Sequence, residues 1–116
     1  MDNQLAGEIP QEVRAFTSIE TLSLGSNALE GPIPDVLIEL RKLKIFDVEG
    51  NSMSGPASVN LEGLDQLEFY RILENRFSGT ISPSVGAAFS LKLLWMAENQ
   101  LTGSIPASLG NLVNLD

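Results

Sequence analysis

Apolar residues recur along this chain with a period of 24 residues, and the register holds without insertion or deletion. The clearest markers are an asparagine and, four positions later, a glycine, with an apolar residue between them. These markers occur five times, at Asn3, Asn27, Asn51, Asn75 and Asn99 and at Gly7, Gly31, Gly55, Gly79 and Gly103. A unit this short cannot bury an apolar face alone, so the pattern predicts repeats that stack into one continuous core.

The spacing within each repeat predicts its local structure. Pairs of apolar residues two positions apart, such as Leu22 with Leu24, alternate with more polar residues and indicate a short, half-buried strand. Leucines three positions apart upstream favour a helical or 3₁₀ turn on the opposite side of the coil. The Gly-x-Ile-Pro segments indicate a second extended piece, because proline fixes φ and has no N–H to donate. We expect four complete strands, near residues 21–25, 45–49, 69–73 and 93–97.

The recurring asparagines are predicted to be structural. At the end of each strand the chain turns inward and leaves backbone donors and acceptors that water cannot reach. A short amide side chain can satisfy both kinds of group. We therefore expect an asparagine ladder, hydrogen-bonded within and between coils, formed by Asn27, Asn51, Asn75 and Asn99. The recurring glycines are expected where the backbone needs close approach or a positive φ.

One unit of the chain reads Leu64-x-x-Leu67-x-x-Tyr70-x-Ile72-x-x-Asn75-x-Phe77-x-Gly79-x-Ile81-Ser82. It resembles the leucine-rich repeat, and specifically the 24-residue plant-type subclass with its Leu-x-Gly-x-Ile-Pro half. The resemblance covers essentially the whole chain. It departs where Ala57-Ser58 replaces Ile-Pro, where Ser82 replaces proline, and where Ala88 occupies a leucine position.

The resemblance implies an α/β-class repeat solenoid. Its right-handed superhelix would carry short parallel strands on the concave face and 3₁₀ or short helical returns on the convex face. Proteins known for this repeat include the ectodomains of plant receptor-like kinases, receptor-like proteins and polygalacturonase-inhibiting proteins.

We expect residues 1–116 to form a single array of about 4.75 repeats, cut within a repeat at both ends. Plant-type arrays usually carry cysteine-paired caps, and this chain has no cysteine. The chain is interpreted as a fragment of a longer array, or as a truncated gene model that begins at an internal methionine, with a small free-standing protein as the alternative. If the chain is such a fragment, we expect its end layers to expose apolar residues such as Leu109, Leu112 and Leu115 at one end.

The amino-acid composition excludes several classes of function. With 7 basic and 15 acidic residues the net charge is −8, which disfavours nucleic acid and anionic membrane as partners. The absence of histidine and cysteine removes Ser-His-Asp and Cys-His catalysis and imidazole or thiolate metal sites. Acid pairs such as Asp47 with Glu49 would lie on an open sheet where nothing excludes water. We predict no enzyme activity, no metal, no cofactor and no direct membrane contact from this segment.

Strand residues that point away from the core should form columns on the concave face, about 4.8 Å apart from strand to strand. One column alternates in charge and is predicted to be a stabilising ladder: Glu20, Lys44, Glu68 and Lys92. The next columns contain an apolar patch with an arginine at its centre and acids at its rim. We call it the concave patch: Ile45, Asp47, Phe69, Arg71, Leu73, Leu93 and Trp95.

Aromatic residues and arginine inside a polar rim are typical of binding hot spots, so the concave patch is predicted to bind a partner. The alternative is that neighbouring strands merely pack these side chains against one another. In the receptors that this chain resembles, the concave face commonly binds peptide or protein ligands.

The sequence thus predicts a protein- or peptide-binding module from the extracellular, cell-surface region of a plant receptor-like protein. One alternative is a receptor kinase whose kinase domain lies outside this chain. A second is a free-standing inhibitor or co-receptor-type interaction protein. No oligomeric state is predicted.

Overall fold

The computed structural model describes residues 4–57 and 60–115, so Asn3 lies outside the described residues. The central element is a four-stranded parallel sheet that runs in chain order: Thr21–Ser23, Ile45–Asp47, Phe69–Arg71 and Leu93–Trp95. Each strand residue pairs with its equivalent one repeat later, as Leu22 does with Phe46 and Phe46 with Tyr70. The expected positions and order are confirmed, although each strand has three residues where about five were expected.

The second extended pieces also pair in parallel, in two smaller sheets. One joins Ala6–Gly7 to Ala28–Leu29, and the other joins Ser54–Pro56, Arg76–Gly79 and Gln100–Leu101. Between the two sheets, the amide of Ser52 donates to the carbonyl of Leu29 at 2.9 Å, so the coils stay linked. The Ile-Pro half of the repeat is therefore hydrogen-bonded between coils and is not a free loop.

Short 3₁₀ helices return the chain on the convex side at Gln11–Ala15, Asp35–Glu39, Pro83–Ala87 and Ala107–Asn111. Three of them follow a proline in an extended conformation. In the helix after Ser82, the serine Oγ instead accepts a hydrogen bond from the amide of Ser84. In the third return, residues 60–67 form turns that keep the same backbone bonds, from Leu64 to Leu61 and from Leu67 to Leu64.

The core lies between the long sheet and these returns. It contains the inward strand residues and the leucine positions, and it is driest in the middle repeats, where Leu43, Phe46, Leu67 and Ile72 are fully buried. The rings of Phe46 and Tyr70 stack with centroids 5.5 Å apart. Burial falls towards both ends because an end coil has a neighbour on one side alone.

The last layer exposes apolar residues, but not the leucines that were expected. Leu112 is 4% exposed, and Leu109 and Leu115 are half-buried against the core. The 3₁₀ helix that carries this segment packs on the helix one repeat earlier, so these leucines are already covered from that side. The large apolar residues exposed in this part of the chain are Ile105 and Val113.

The marker glycines all have positive φ, from +74° at Gly31 to +93° at Gly55. A second left-handed position precedes each asparagine of the ladder: Ser26, Gly50, Glu74 and Glu98. Glycine occupies one of these four positions, so the sequence pattern does not indicate a left-handed conformation there. The position shapes one edge of the concave face.

Candidate binding surface on the concave face

The ends of the long strands are held by the asparagine ladder. The Nδ2 of Asn51 donates to the carbonyl of Val48 in its own coil at 2.9 Å and to that of Leu24 in the preceding coil at 3.0 Å. Its Oδ1 accepts from the amide of Leu29 at 2.9 Å. The Nδ2 also donates to the carbonyl of Glu49 at 3.3 Å, so one side chain serves four backbone groups in two coils. This fixes the point at which each concave strand ends.

The same arrangement recurs around the other asparagines of the ladder. The Nδ2 of Asn75 reaches the carbonyls of Val48 and Ile72, and its Oδ1 accepts from Met53. Asn99 makes equivalent bonds, whereas Asn27 accepts from the amide of Leu5 and, among the described residues, donates only within its own coil. Asn75 is buried, with 8% of its surface exposed, so bulk water cannot readily take over the hydrogen bonds of its amide.

The charged column of the concave face pairs two by two. Lys44 lies 3.3 Å from Glu20, and Lys92 lies 3.5 Å from Glu68. Among the described residues no ion pair joins Lys44 to Glu68, so the predicted ladder consists of two separate pairs. Both pairs are largely exposed, and each stabilises by about 0.2–1 kcal/mol at most.

Arg71 lies at the centre of the concave patch and is fixed on three sides. Its Nη1 donates to Oδ2 of Asp47 at 3.4 Å, and its Cζ lies 5.0 Å from the ring centroid of Trp95 and 5.6 Å from that of Phe69. Asp47 is in turn oriented, because its Oδ1 accepts from the amide of Glu49 at 3.0 Å. The guanidinium charge is compensated by one carboxylate and two aromatic faces.

The sheet register brings the rest of the concave patch together. Ile45, Phe69 and Leu93 are direct neighbours in one column, as are Asp47, Arg71 and Trp95 in the next. The aliphatic members are half-buried against each other, whereas Trp95 keeps 42% of its surface exposed. The aliphatic side chains therefore pack across strands, while Trp95 still presents an apolar surface to solvent.

Three further carboxylates lie between the concave patch and the asparagine ladder, and we call them the acidic edge: Glu49, Glu74 and Glu98. In the described part of the chain, no lysine or arginine lies within ion-pair distance of any of them. Glu74 and Glu98 occupy the left-handed position, with φ of 53° and 55°. The sequence spacing places Glu74 and Glu98 in one column, but it does not indicate their positive φ.

The described residues hold no group of side chains arranged for a metal ion. Burial raises the pKa of the Tyr70 phenol, but this ring lies in the core against Phe46 and not on the concave face. A surface depression lined by Pro32, Ile38 and Pro56 lies beside the 3₁₀ helix Asp35–Glu39, away from the concave patch. The features of the concave face that could recognise a partner are therefore the cluster of Arg71 with two aromatic rings and the charged side chains around it.

No helix within the described residues is both long enough and apolar enough to cross a lipid bilayer.

The model of the Leucine Rich Repeat family matches residues 18–40 and 90–112. No curated protein matches the chain. Among solved structures, the chain is similar to the ectodomain of the Arabidopsis thaliana membrane receptor kinase GASSHO1/SCHENGEN3, in complex with CASPARIAN STRIP INTEGRITY FACTOR 2. The identity is 35% and the TM-score 0.90, over 97% of this chain and 14% of that one.

It is also similar to the ectodomain of the Arabidopsis receptor kinase HAESA in complex with an IDA peptide hormone, at 33% identity and a TM-score of 0.93, over 100% of this chain and 20% of that one. A chain of the Arabidopsis thaliana BIR3–SERK2 complex is 26% identical, with a TM-score of 0.81, over 100% of this chain and 66% of that one. The chain thus spans a fifth or less of the first two ectodomains. Its period, its parallel strands and these likenesses together show that the chain is built of plant-type leucine-rich repeats and resembles the ectodomains of plant receptor kinases.

Proposed function

We propose that the concave face of this chain binds a peptide or protein ligand, as part of the extracellular recognition region of a plant receptor-like protein at the cell surface. The observation that carries the proposal is the cluster in which Arg71 lies between Phe69 and the exposed Trp95. The similar HAESA ectodomain is in complex with a peptide hormone, which supports a ligand of the same kind here.

The cluster has the properties of a binding hot spot. Because Asp47 and the two rings already hold Arg71, a partner that packs on this surface orders few additional side chains. Trp95 adds a large apolar area whose removal from water favours binding. The energy of binding should therefore be concentrated in Trp95, Phe69 and Arg71.

Recognition, and not catalysis, is the activity we propose for this segment. The leucine-rich-repeat ectodomain fold is a non-catalytic binding module, and the concave face is an open sheet that cannot exclude water from a reaction. A kinase domain elsewhere in the parent protein is compatible with this proposal, since GASSHO1 and HAESA are receptor kinases.

A second candidate function is contact with another receptor ectodomain. The likeness to a chain of the BIR3–SERK2 complex favours it. In that case a folded protein would occupy the same face or the convex one.

Selection of binders from a displayed library of random 12-residue peptides tests the proposal. Peptides selected on the 116-residue chain should lose about 30-fold in affinity, or more, when Trp95 or Phe69 is replaced by alanine. The convex substitutions Arg41→Ala and Lys42→Ala are the controls and should leave affinity unchanged. Isothermal titration measures each affinity, and circular dichroism shows that each variant is folded.

The opposite pattern would contradict the proposal. If Arg41→Ala or Lys42→Ala removes binding while Trp95→Ala binds normally, the ligand does not occupy the concave patch. Failure to select any peptide that depends on Trp95, together with binding of a folded ectodomain at this face, would favour the second candidate.

A further inference from the structure

The cations of the concave face are all engaged in the described structure. Its three basic side chains each have a carboxylate partner: Lys44 pairs with Glu20, Arg71 with Asp47 and Lys92 with Glu68. Arg71 is further enclosed by two rings, and its Nε is buried. A ligand carboxylate arriving at this face would have to displace one of these acids before it could pair with a base.

In contrast, not every carboxylate of the concave face has a basic partner. After the three pairs are formed, the acidic edge retains three carboxylates without a cationic partner among the described residues, on three consecutive coils. Glu74 and Glu98 occupy equivalent positions on neighbouring coils, about 4.8 Å apart at the backbone. Like charges at this separation repel each other, so a cation placed between them is attracted by both.

The acidic edge adjoins the apolar part of the same surface. Across the third coil, the side chains run from the paired Glu68 through Phe69 and Arg71 to Leu73 and then Glu74. A ligand that covers Trp95 and Leu73 therefore brings its flanking side chains within reach of the acidic edge. Contact with the apolar side chains buries surface area, and the acidic edge favours a ligand with positively charged side chains.

We propose that the ligand of the concave face is an extended peptide that carries lysine or arginine next to apolar side chains. The apolar side chains cover Trp95, Leu93 and Leu73, and the basic ones lie along the acidic edge. This inference rests on the proposed function and adds the chemical class of the ligand. The net charge of −8 also favours approach of a cationic ligand.

The experiment repeats the random-peptide selection on three forms of the chain: the natural chain, Glu74→Gln/Glu98→Gln, and Glu12→Gln/Glu39→Gln. The last is a matched control, because it removes the same number of charges from exposed positions on the convex 3₁₀ helices. Lysine and arginine should be at least about twofold enriched over the input library on the natural chain and on the control, but not on Glu74→Gln/Glu98→Gln.

Affinity gives an independent readout. A peptide selected on the natural chain should bind Glu74→Gln/Glu98→Gln about threefold to tenfold more weakly, and its affinity should depend less on salt. Binding to the control should match that of the natural chain. Trp95 is the only tryptophan, so its fluorescence reports binding of any tryptophan-free peptide directly.

The outcomes separate the two proposals. If selected peptides depend on Trp95 but are neutral or acidic, or bind Glu74→Gln/Glu98→Gln as tightly as the natural chain, the inference is wrong and the proposed function stands. If no selected peptide depends on Trp95, the concave patch is not a peptide-binding site, and the proposal of a peptide ligand fails together with the inference.

Discussion

At the scale of single residues, the hydrogen bonds of the asparagine ladder make a sharp stability prediction. Asn51→Ala leaves the amide of Leu29 and the carbonyls of Leu24 and Val48 without their side-chain partner. Because a stranded buried group costs about 1–3 kcal/mol, we expect Asn51→Ala to lower the free energy of unfolding by at least that amount. Chemical denaturation measures the change.

The control is Asn60, which lies outside the ladder and is exposed. Its Oδ1 accepts a single bond, from the amide of Glu62, which water can replace. Asn60→Ala should therefore shift the unfolding midpoint much less than Asn51→Ala. Equal shifts for the two variants would mean that the asparagines of the ladder do not hold the coils together.

At the scale of elements, neighbouring 3₁₀ helices on the convex side approach closely through a glycine. A Cβ at Gly86 would lie 2.6 Å from Cβ and 2.7 Å from the carbonyl oxygen of Ser108 in the next helix. Ser108 cannot easily retreat, because its Oγ donates to the carbonyl of Pro83 at 2.8 Å. We expect Gly86→Ala to force these two helices apart and to destabilise the chain by about 1–3 kcal/mol, measured as a lower thermal midpoint.

Gly110 provides the matched comparison in the following helix. A Cβ there meets no atom within 4 Å, and its φ lies outside the left-handed region. Gly110→Ala should be neutral or should stabilise by up to about 1 kcal/mol, because it restricts the unfolded chain. If Gly86→Ala is tolerated as well as Gly110→Ala, the two helices are not in the close contact described here.

At the scale of the whole molecule, the environment of a repeat position depends on its neighbours. Ile33 and Ile105 occupy the same position in different repeats, yet Ile33 is 6% exposed and Ile105 is 74% exposed. We expect Ile33→Ser to destabilise the chain by about 2–5 kcal/mol, because it removes packed apolar surface and buries a hydroxyl. Ile105→Ser should change stability by less than about 0.5 kcal/mol.

Ile105→Ser also tests whether exposed apolar side chains cause the isolated chain to self-associate. Ile105→Ser should reduce binding of a hydrophobic dye and reduce self-association in sedimentation velocity, since it removes an exposed apolar side chain. An unchanged dye signal in Ile105→Ser would place the accessible apolar surface elsewhere, for instance at Phe16 or Phe89.

The sequence alone determined the period, the positions of the four long strands and their parallel order. It could do so because stacked coils place equivalent residues side by side, so a uniform spacing such as that from Leu22 to Phe46 is also the sheet register. For the same reason it identified which residues share the concave columns, including Arg71 beside Trp95.

The tertiary structure decided what each of those residues contacts. The alternating charges of Glu20, Lys44, Glu68 and Lys92 allow a continuous ladder or separate pairs, and only the side-chain positions select the two pairs. The burial of Leu112 and the exposure of Ile105 depend in the same way on which neighbouring coil covers each side chain. Periodicity assigns equivalent residues to equivalent backbone positions, whereas burial, pairing and charge compensation depend on the particular side chains in the coils on either side.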